Sequence, residues 1–126
     1  VELINNLITT DGKDIEFFEG GKGYTNSVKS NVIESWESEP ISSKILSSVS
    51  ISQILDKKYD WLHLDIEGYD GEVIRAINVD MLPNFIIFEH NNLLMEDKLK
   101  LEGYLTNLGY SLNRNDEVSY LATKHD

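Results

Sequence analysis

Cysteine is absent from the 126 residues of this chain. The chain therefore has no disulfide framework, no thiol nucleophile and no thiolate ligand for a metal ion. Proteins of reducing compartments lack disulfides, so the absence of cysteine favours a cytoplasmic location.

Basic residues are also scarce, with 11 Lys and Arg against 22 Asp and Glu, which gives a formal net charge of −11. This acidic balance disfavours nucleic acid, whose recognition requires basic surface to neutralise phosphates. It equally disfavours anionic membrane surfaces. No apolar run approaches the length of a membrane span, and no N-terminal signal pattern is visible. We therefore expect neither a nucleic-acid partner nor a membrane partner.

The length and the hydrophobic share of 40% suit one small domain with a modest core. The chain begins at Val1 rather than at Met, directly with strand-like sequence. We therefore expect residues 1–126 to form a single, partial domain that belongs to a longer protein.

The most informative stretch is Tyr59–Ile77, which reads YDWLHLDIEGYDGEVIRAI. Its apolar start predicts a buried strand, and the later helical pattern predicts a helix. The turn between them holds four carboxylates, namely Asp65, Glu67, Asp70 and Glu72. Ligands of open α/β sheets bind at the C-terminal ends of strands, so Asp65 and Glu67 are candidate functional residues. Asp70 and Glu72 are explained by the preference of helix N-termini for acidic side chains.

A second apolar run, Phe85–Phe88, predicts another buried strand, which Glu89 and His90 follow. The two strands and the helix between them form one βαβ unit, in which the strands are parallel. Their carboxyl ends then lie at the same sheet edge, about 4.8 Å apart. Glu89 and His90 should therefore lie near Asp65, where His90 is a candidate base or ligand.

The N-terminal part predicts two strands around the turn signal Asp11–Gly12, so that Leu3–Phe18 forms a hairpin. Asn5, in the first of these strands, is a candidate binding residue. The Gly-rich stretch that begins at Gly20 lacks the spacing of both standard phosphate-binding loops and predicts a flexible loop.

The C-terminal part predicts a helix over Met95–Leu108, where leucines recur at helical spacing. Gly109 is placed to end this helix in a left-handed cap. Tyr110–Asn113 and Val118–Thr123 then predict a closing antiparallel hairpin. No serine lies in a Gly-x-Ser-x-Gly nucleophile elbow, which excludes serine-based acyl transfer of that type. The whole pattern predicts an α/β fold.

In its ordered motifs the chain resembles the C-terminal part of FkbM-type methyltransferases, from Leu3 to about Lys124. The resemblance rests on the run DWLHLDIEGYDGEVIRAI, the later FIIFEHN, and the helix that leads to LGYSL. The positions that match the family's Asp-x-Glu-Gly turn, its next strand ending in Glu and its Gly-Tyr are Asp65, Glu67, Gly68, Glu89, Gly109 and Tyr110.

The resemblance implies S-adenosylmethionine-dependent methyl transfer to a hydroxyl of a sugar or small metabolite. It implies Asp65 as the catalytic group nearest the methyl group and the acceptor, and as a cofactor contact. Glu67 and Glu89 complete the implied catalytic set by shaping the acceptor pocket, and Asn5 is implied near the adenine. The implied fold is a partial Rossmann-like class I methyltransferase sheet, with a βαβ unit and a C-terminal antiparallel hairpin.

The chain departs from the family pattern in two ways. The family usually has Lys two residues before the motif's Asp, where this chain has His63, a mid-strand residue that we predict to be packed in the core. The family's first half, with the Gly-rich loop that wraps S-adenosylmethionine, is missing before Leu3. The remaining sheet should then expose strand edges, which favour self-association.

Two other functions remain open from the sequence. Asp65, Glu67, Glu89 and His90 are hard ligands that suit Mg²⁺ or Mn²⁺, so a metal-assisted site is one alternative. The other is a non-catalytic interaction module of the same fold, since the cofactor loop is missing.

Overall fold

The computed structural model describes residues 6–19, 42–66, 68–91 and 93–125. Its strands, in chain order, are β1 (Leu7–Thr9), β2 (Ile15–Glu19), β3 (Ser42–Leu46), β4 (Ser48–Ser50), β5 (Trp61–Leu64), β6 (Phe85–Glu89), β7 (Tyr110–Arg114) and β8 (Ser119–Lys124). Its helices are α1 (Ile51–Ile54), α2 (Asp70–Ala76) and α3 (Met95–Asn107), with a 3₁₀ turn at Val79–Met81. The result is a mixed α/β structure.

The N-terminal strands do not form the predicted hairpin, and that prediction is wrong for the residues described. β1 pairs in parallel with β4, whereas β2 pairs antiparallel with β3. The turn itself is present, since Gly12 has φ of +74° and its amide donates to Thr9 Oγ1 over 2.9 Å. The Thr9 hydroxyl also lies 2.7 Å from Ser48 Oγ. This contact helps to hold β1 against the later strand instead of against β2.

The four-stranded sheet has the order β5–β6–β8–β7. β5 and β6 are parallel, with Trp61 paired to Phe85 and Leu64 to Phe88, as the βαβ unit predicts. β8 is antiparallel to both β6 and β7, so the predicted closing hairpin is confirmed. Its later strand lies inside the sheet, between β6 and β7, a position that the sequence pattern does not predict.

The core lies between this sheet and the helices α2 and α3. Fully buried side chains come from the sheet (Ile86, Phe88, Ala122) and from the helices (Val73, Ile74, Leu101, Leu105). Burying an aliphatic or aromatic side chain of this size contributes about 1.5–3 kcal/mol to stability. This packing fixes the start of α2 beneath the carboxyl ends of β5 and β6.

The ends of the helices follow local sequence signals. α1 begins with a capping box, in which the Ser50 hydroxyl accepts from the Gln53 amide and the Gln53 side chain accepts from the Ser50 amide. α3 is followed by Gly109, whose φ of +95° confirms the predicted left-handed cap. In the part of the chain that the structure describes, no helix combines the length and apolar character needed to cross a membrane.

Candidate functional site

The candidate site begins where β5 ends, at the exposed residue Asp65. The chain then turns back, with the Tyr69 amide donating to the Ile66 carbonyl over 3.2 Å. Gly68 has φ of +91°, which a residue with a side chain rarely adopts. This glycine therefore allows the tight reversal from the strand into α2. Glu67, predicted here as a site residue, lies outside the described residues.

β6 places Glu89 beside the end of β5. Because Leu64 pairs in parallel with Phe88, Asp65 and Glu89 follow at the carboxyl ends of two neighbouring strands. Glu89 is half-buried and Asp65 is exposed. The structure thus brings these two predicted residues to one sheet edge, and their chemical roles stay predictions. Asn5, predicted as a cofactor contact, lies outside the described residues.

Asp70 has a larger role at this edge than its place at a helix start predicts. Its side chain is 0% exposed. Oδ1 accepts from the Ile66 amide over 3.3 Å, and Oδ2 accepts from the Glu89 amide over 3.2 Å. Asp70 does lie in the first turn of α2, as predicted, but its carboxylate joins the two strand ends. No sequence signal predicts this, because it depends on where the side chain points.

The environment of Asp70 changes its acidity. Burial raises the pKa of this carboxyl group from 3.8 to about 6, because the charged form loses its hydration. The hydrogen bonds from the Glu89 and Ile66 amides oppose this increase, and the nearby charge of Asp65 adds to it. The site therefore holds a carboxyl group that changes charge close to neutral pH.

His90 lies next to Glu89 and packs on Tyr120, with ring centroids 4.5 Å apart. The ammonium group of Lys98 lies 5.2 Å from the centroid of the same tyrosine ring. Burial, followed by the charges of Lys98 and Arg114, lowers the pKa of His90, so its imidazole is mostly neutral at pH 7. Within the described residues, the buried Nε2 atom of His90 has no hydrogen-bond partner.

His63 is exposed, so the prediction that it packs in the core is wrong. Side chains alternate along a strand, and in β5 Leu64 is buried among the core residues while Trp61 and His63 are exposed. The alternation places Leu62 and Leu64 on one face and His63 on the other, so a mid-strand position alone does not put His63 in the core.

The metal alternative finds no support at this edge. Across residues 6–19, 42–66, 68–91 and 93–125, no three His, Cys, Asp or Glu side chains are grouped closely enough to hold a metal ion. Glu67, one of the four ligands suggested by the sequence, is not among these residues. The carboxylates that are described remain suited to binding a cation-bearing organic ligand or to accepting a proton.

Comparison with known proteins agrees with this arrangement. The family model described as Methyltransferase FkbM domain matches residues 2–112, which include β5, α2, β6 and all the predicted site residues. No curated protein matches the chain at a significant level. No solved structure does so either. Since the match spans most of the chain and contains the whole sheet edge described above, the chain belongs to the FkbM methyltransferase family.

Proposed function

We propose that this protein transfers a methyl group from S-adenosylmethionine to a hydroxyl group of a sugar or small metabolite. The observation that carries the proposal is the position of Asp65 and Glu89 at the carboxyl ends of adjacent parallel strands. In open α/β sheets this is where ligands bind. The membership of the chain in a methyltransferase family supports methyl transfer as the reaction at this edge.

The strand arrangement supports a Rossmann-like class I methyltransferase sheet. A parallel pair, β5 and β6, is joined through α2, and the antiparallel strands β8 and β7 extend the sheet beyond β6. These are the βαβ unit and the C-terminal hairpin that the family resemblance implies. We propose that the described sheet is the acceptor-side part of such a fold.

The described residues fit the charge of the cofactor. S-adenosylmethionine carries a positive sulfonium and a positive ammonium group, and the edge presents the exposed carboxylate of Asp65 with Glu89 beside it. Opposite charges placed a few ångströms apart attract each other, most strongly where water is excluded. Asp65 is thus the residue that we assign to the cofactor among those described.

When bound, the cofactor supplies an electrophilic methyl group on a sulfur atom that departs as a neutral thioether. A carboxylate placed beside the acceptor hydroxyl would make its oxygen a better nucleophile towards that methyl group. The hydroxyl proton leaves with its bonding electrons remaining on oxygen, and the Asp65 carboxylate accepts it. Glu89 and Glu67 orient the acceptor, and Asn5 contacts the adenine; holding the reactants in line is the main contribution of the protein.

We also propose the partners and location that the composition suggests. The net charge of −11 favours a small-molecule acceptor over nucleic acid or an anionic membrane. The absence of cysteine favours the cytoplasm. The outer strand β5, which carries the exposed Trp61, favours self-association through this edge.

The proposal is tested by incubating the intact protein with S-adenosylmethionine labelled in its methyl group and a deproteinised small-metabolite extract. We expect label to enter the small-molecule fraction. Replacing Asp65 by Ala should reduce the initial rate about 100-fold or more, because a positioned base contributes about that much. The matched control is Asp60→Ala, which removes an exposed carboxylate at the opposite end of β5.

Two outcomes would contradict the proposal. Full activity in the Asp65→Ala variant would remove Asp65 from the mechanism. Wild-type protein that binds S-adenosylmethionine in a calorimeter but labels no fraction would instead favour the non-catalytic module.

A further inference from the structure

The hydrogen-bond ladder between β5 and β6 ends just before the candidate site. The paired residues run from Trp61 with Phe85 to Leu64 with Phe88. Beyond this point the two strands no longer pair, because the segment after Leu64 turns towards α2 whereas the segment after Phe88 continues to His90. Asp65 and Glu89 therefore lie where backbone pairing no longer fixes the distance between the strands.

The carboxylate of Asp70 connects the ends of β5 and β6 at this point. Its Oδ1 accepts from the Ile66 amide, and its Oδ2 accepts from the Glu89 amide, at 3.3 and 3.2 Å. The Ile66 amide belongs to the same peptide group as the Asp65 carbonyl, and the other amide is that of Glu89 itself. Each oxygen of one buried carboxylate thus holds the backbone of one site residue.

We propose that Asp70 is a positioning residue for methyl transfer, which sets the separation and orientation of Asp65 and Glu89 by bridging the ends of β5 and β6. The inference rests on the proposed function for its catalytic part. The bridge itself rests on the two hydrogen bonds and on the complete burial of the side chain.

Stabilisation of the helix alone does not account for the geometry. α2 has seven residues, and its N-cap, Tyr69, makes no side-chain capping hydrogen bond. An acidic residue that serves only the helix dipole needs no burial, because surface positions in the first turn already give this stabilisation. Asp70 instead is 0% exposed and directs both oxygens at amides outside the helix, one of them 19 residues away.

The substitution Asp70→Asn tests the bridge without changing the volume of the side chain. Asparagine has the same shape, but it has one acceptor oxygen and an NH₂ group that can only donate. One of the two amides then loses its acceptor, whichever way the side chain is oriented. The matched control is Asp80→Asn, which makes the same change on an exposed residue of the 3₁₀ turn.

The test compares wild type and both variants in the intact protein, with the folded fraction of each measured by circular dichroism. In Asp70→Asn we expect the ¹H–¹⁵N signal of the Ile66 or Glu89 amide to shift, while the control leaves both in place. The kcat per folded molecule, measured with the extract fraction that wild type labels, should fall about 10- to 100-fold, because small misplacements of reacting groups cost that much. The KM for S-adenosylmethionine should rise as well, because the bridge also positions Asp65, the residue assigned to the cofactor.

Unchanged kcat per folded molecule in Asp70→Asn would overturn the positioning role, since loss of stability alone leaves the folded molecules active. If this variant does not fold, wild-type protein still provides a test through the pH dependence of the two amide signals. Both should shift with one common midpoint near pH 6, and in the Asp65→Asn background this midpoint should fall for both amides together, because both bind one carboxylate whose pKa the charge of Asp65 raises. Different midpoints, or no shift, would contradict the bridge.

The failure of the proposed function would have a different signature. Wild type and Asp80→Asn would then both lack methyl transfer, while the amide signals of Ile66 and Glu89 would still respond to Asp70→Asn.

Discussion

The buried carboxyl group of Asp70 makes stability and acidity depend on each other. In the folded protein its pKa is raised to about 6, whereas in the unfolded chain it returns to about 3.8. The folded state therefore binds the proton more strongly than the unfolded state. The stabilisation that this group contributes is fully present below pH 3.8 and is lost as the pH rises through about 6.

We predict that this group lowers the free energy of unfolding by about 3 kcal/mol between pH 3.8 and 7, from the difference between its two pKa values. Other groups titrate in the same window, so the measurement is the difference between wild type and Asp70→Asn in urea unfolding at several pH values. As the pH rises, the free energy of unfolding of wild type should fall relative to that of Asp70→Asn. The free energy of unfolding of the Asp80→Asn control should depend on pH as that of wild type does. The same pH dependence in Asp70→Asn would contradict the prediction.

The candidate site could be predicted from the sequence only in part. The sequence predicts Asp65 and Glu89 at one sheet edge, because apolar runs identify the strands and a βαβ unit makes them parallel. The bridge through Asp70 could not be predicted, because an acidic residue at a helix start has a sufficient local explanation. Long-range side-chain contacts leave no periodic pattern in the sequence.

At the scale of the elements, α3 has one side in the core and another in solvent. Leu101 is 0% exposed and packs in the core, whereas Leu99 is 60% exposed. The δ-carbon of Leu101 also lies 3.8 Å from the position that a Cβ atom on Gly71 would occupy. This is an ordinary van der Waals distance, so Leu101 packs against α2 at Gly71.

We predict that Leu101→Ala lowers the free energy of unfolding by about 2–5 kcal/mol, because it removes apolar contacts and leaves a cavity. The change Leu99→Ala in the same helix should alter it by no more than about 0.5 kcal/mol. Chemical unfolding followed by circular dichroism measures both. Equal losses in the two variants would show that α3 does not pack through the Leu101 face.

The elements themselves were predictable where the signal is local. The sequence predicts the strand Trp61–Leu64 and, with one residue too many at its end, the helix α3, since both carry clear apolar patterns of strand or helix period. The hairpin over Leu3–Phe18 was wrong, and the strand β3 was not predicted. The pairing of β2 with β3 joins residues that are far apart in the chain. The turn signal at Asp11–Gly12 contains no information about which strand pairs with β2.

At the scale of the whole molecule, the four-stranded sheet has an outer strand with apolar surface. Among the residues that the structure describes, β5 pairs with β6 alone. Trp61 is 56% exposed and stacks on Phe85, with ring centroids 5.9 Å apart. Exposed aromatic side chains beside an outer strand favour association with another copy or another strand.

We predict that the protein self-associates as its concentration rises, and that Trp61→Lys weakens this association by placing a charge at the strand edge. The matched control is Val79→Lys, which puts the same charge on an exposed apolar residue outside the sheets. Sedimentation velocity over a concentration series measures the effect. A monomer at every concentration, or equal weakening by both substitutions, would contradict association through β5.

The interior position of β8 has a consequence for the order in which the molecule can be assembled. During synthesis, β7 leaves the ribosome before β8, but its neighbour in the sheet is β8. Until residues 119–124 emerge, β6 therefore has an open edge and β7 has no partner in this sheet. The nascent protein cannot add its strands one at a time in chain order. The sheet can be completed only after β8 has been synthesised, because β8 pairs with both β6 and β7.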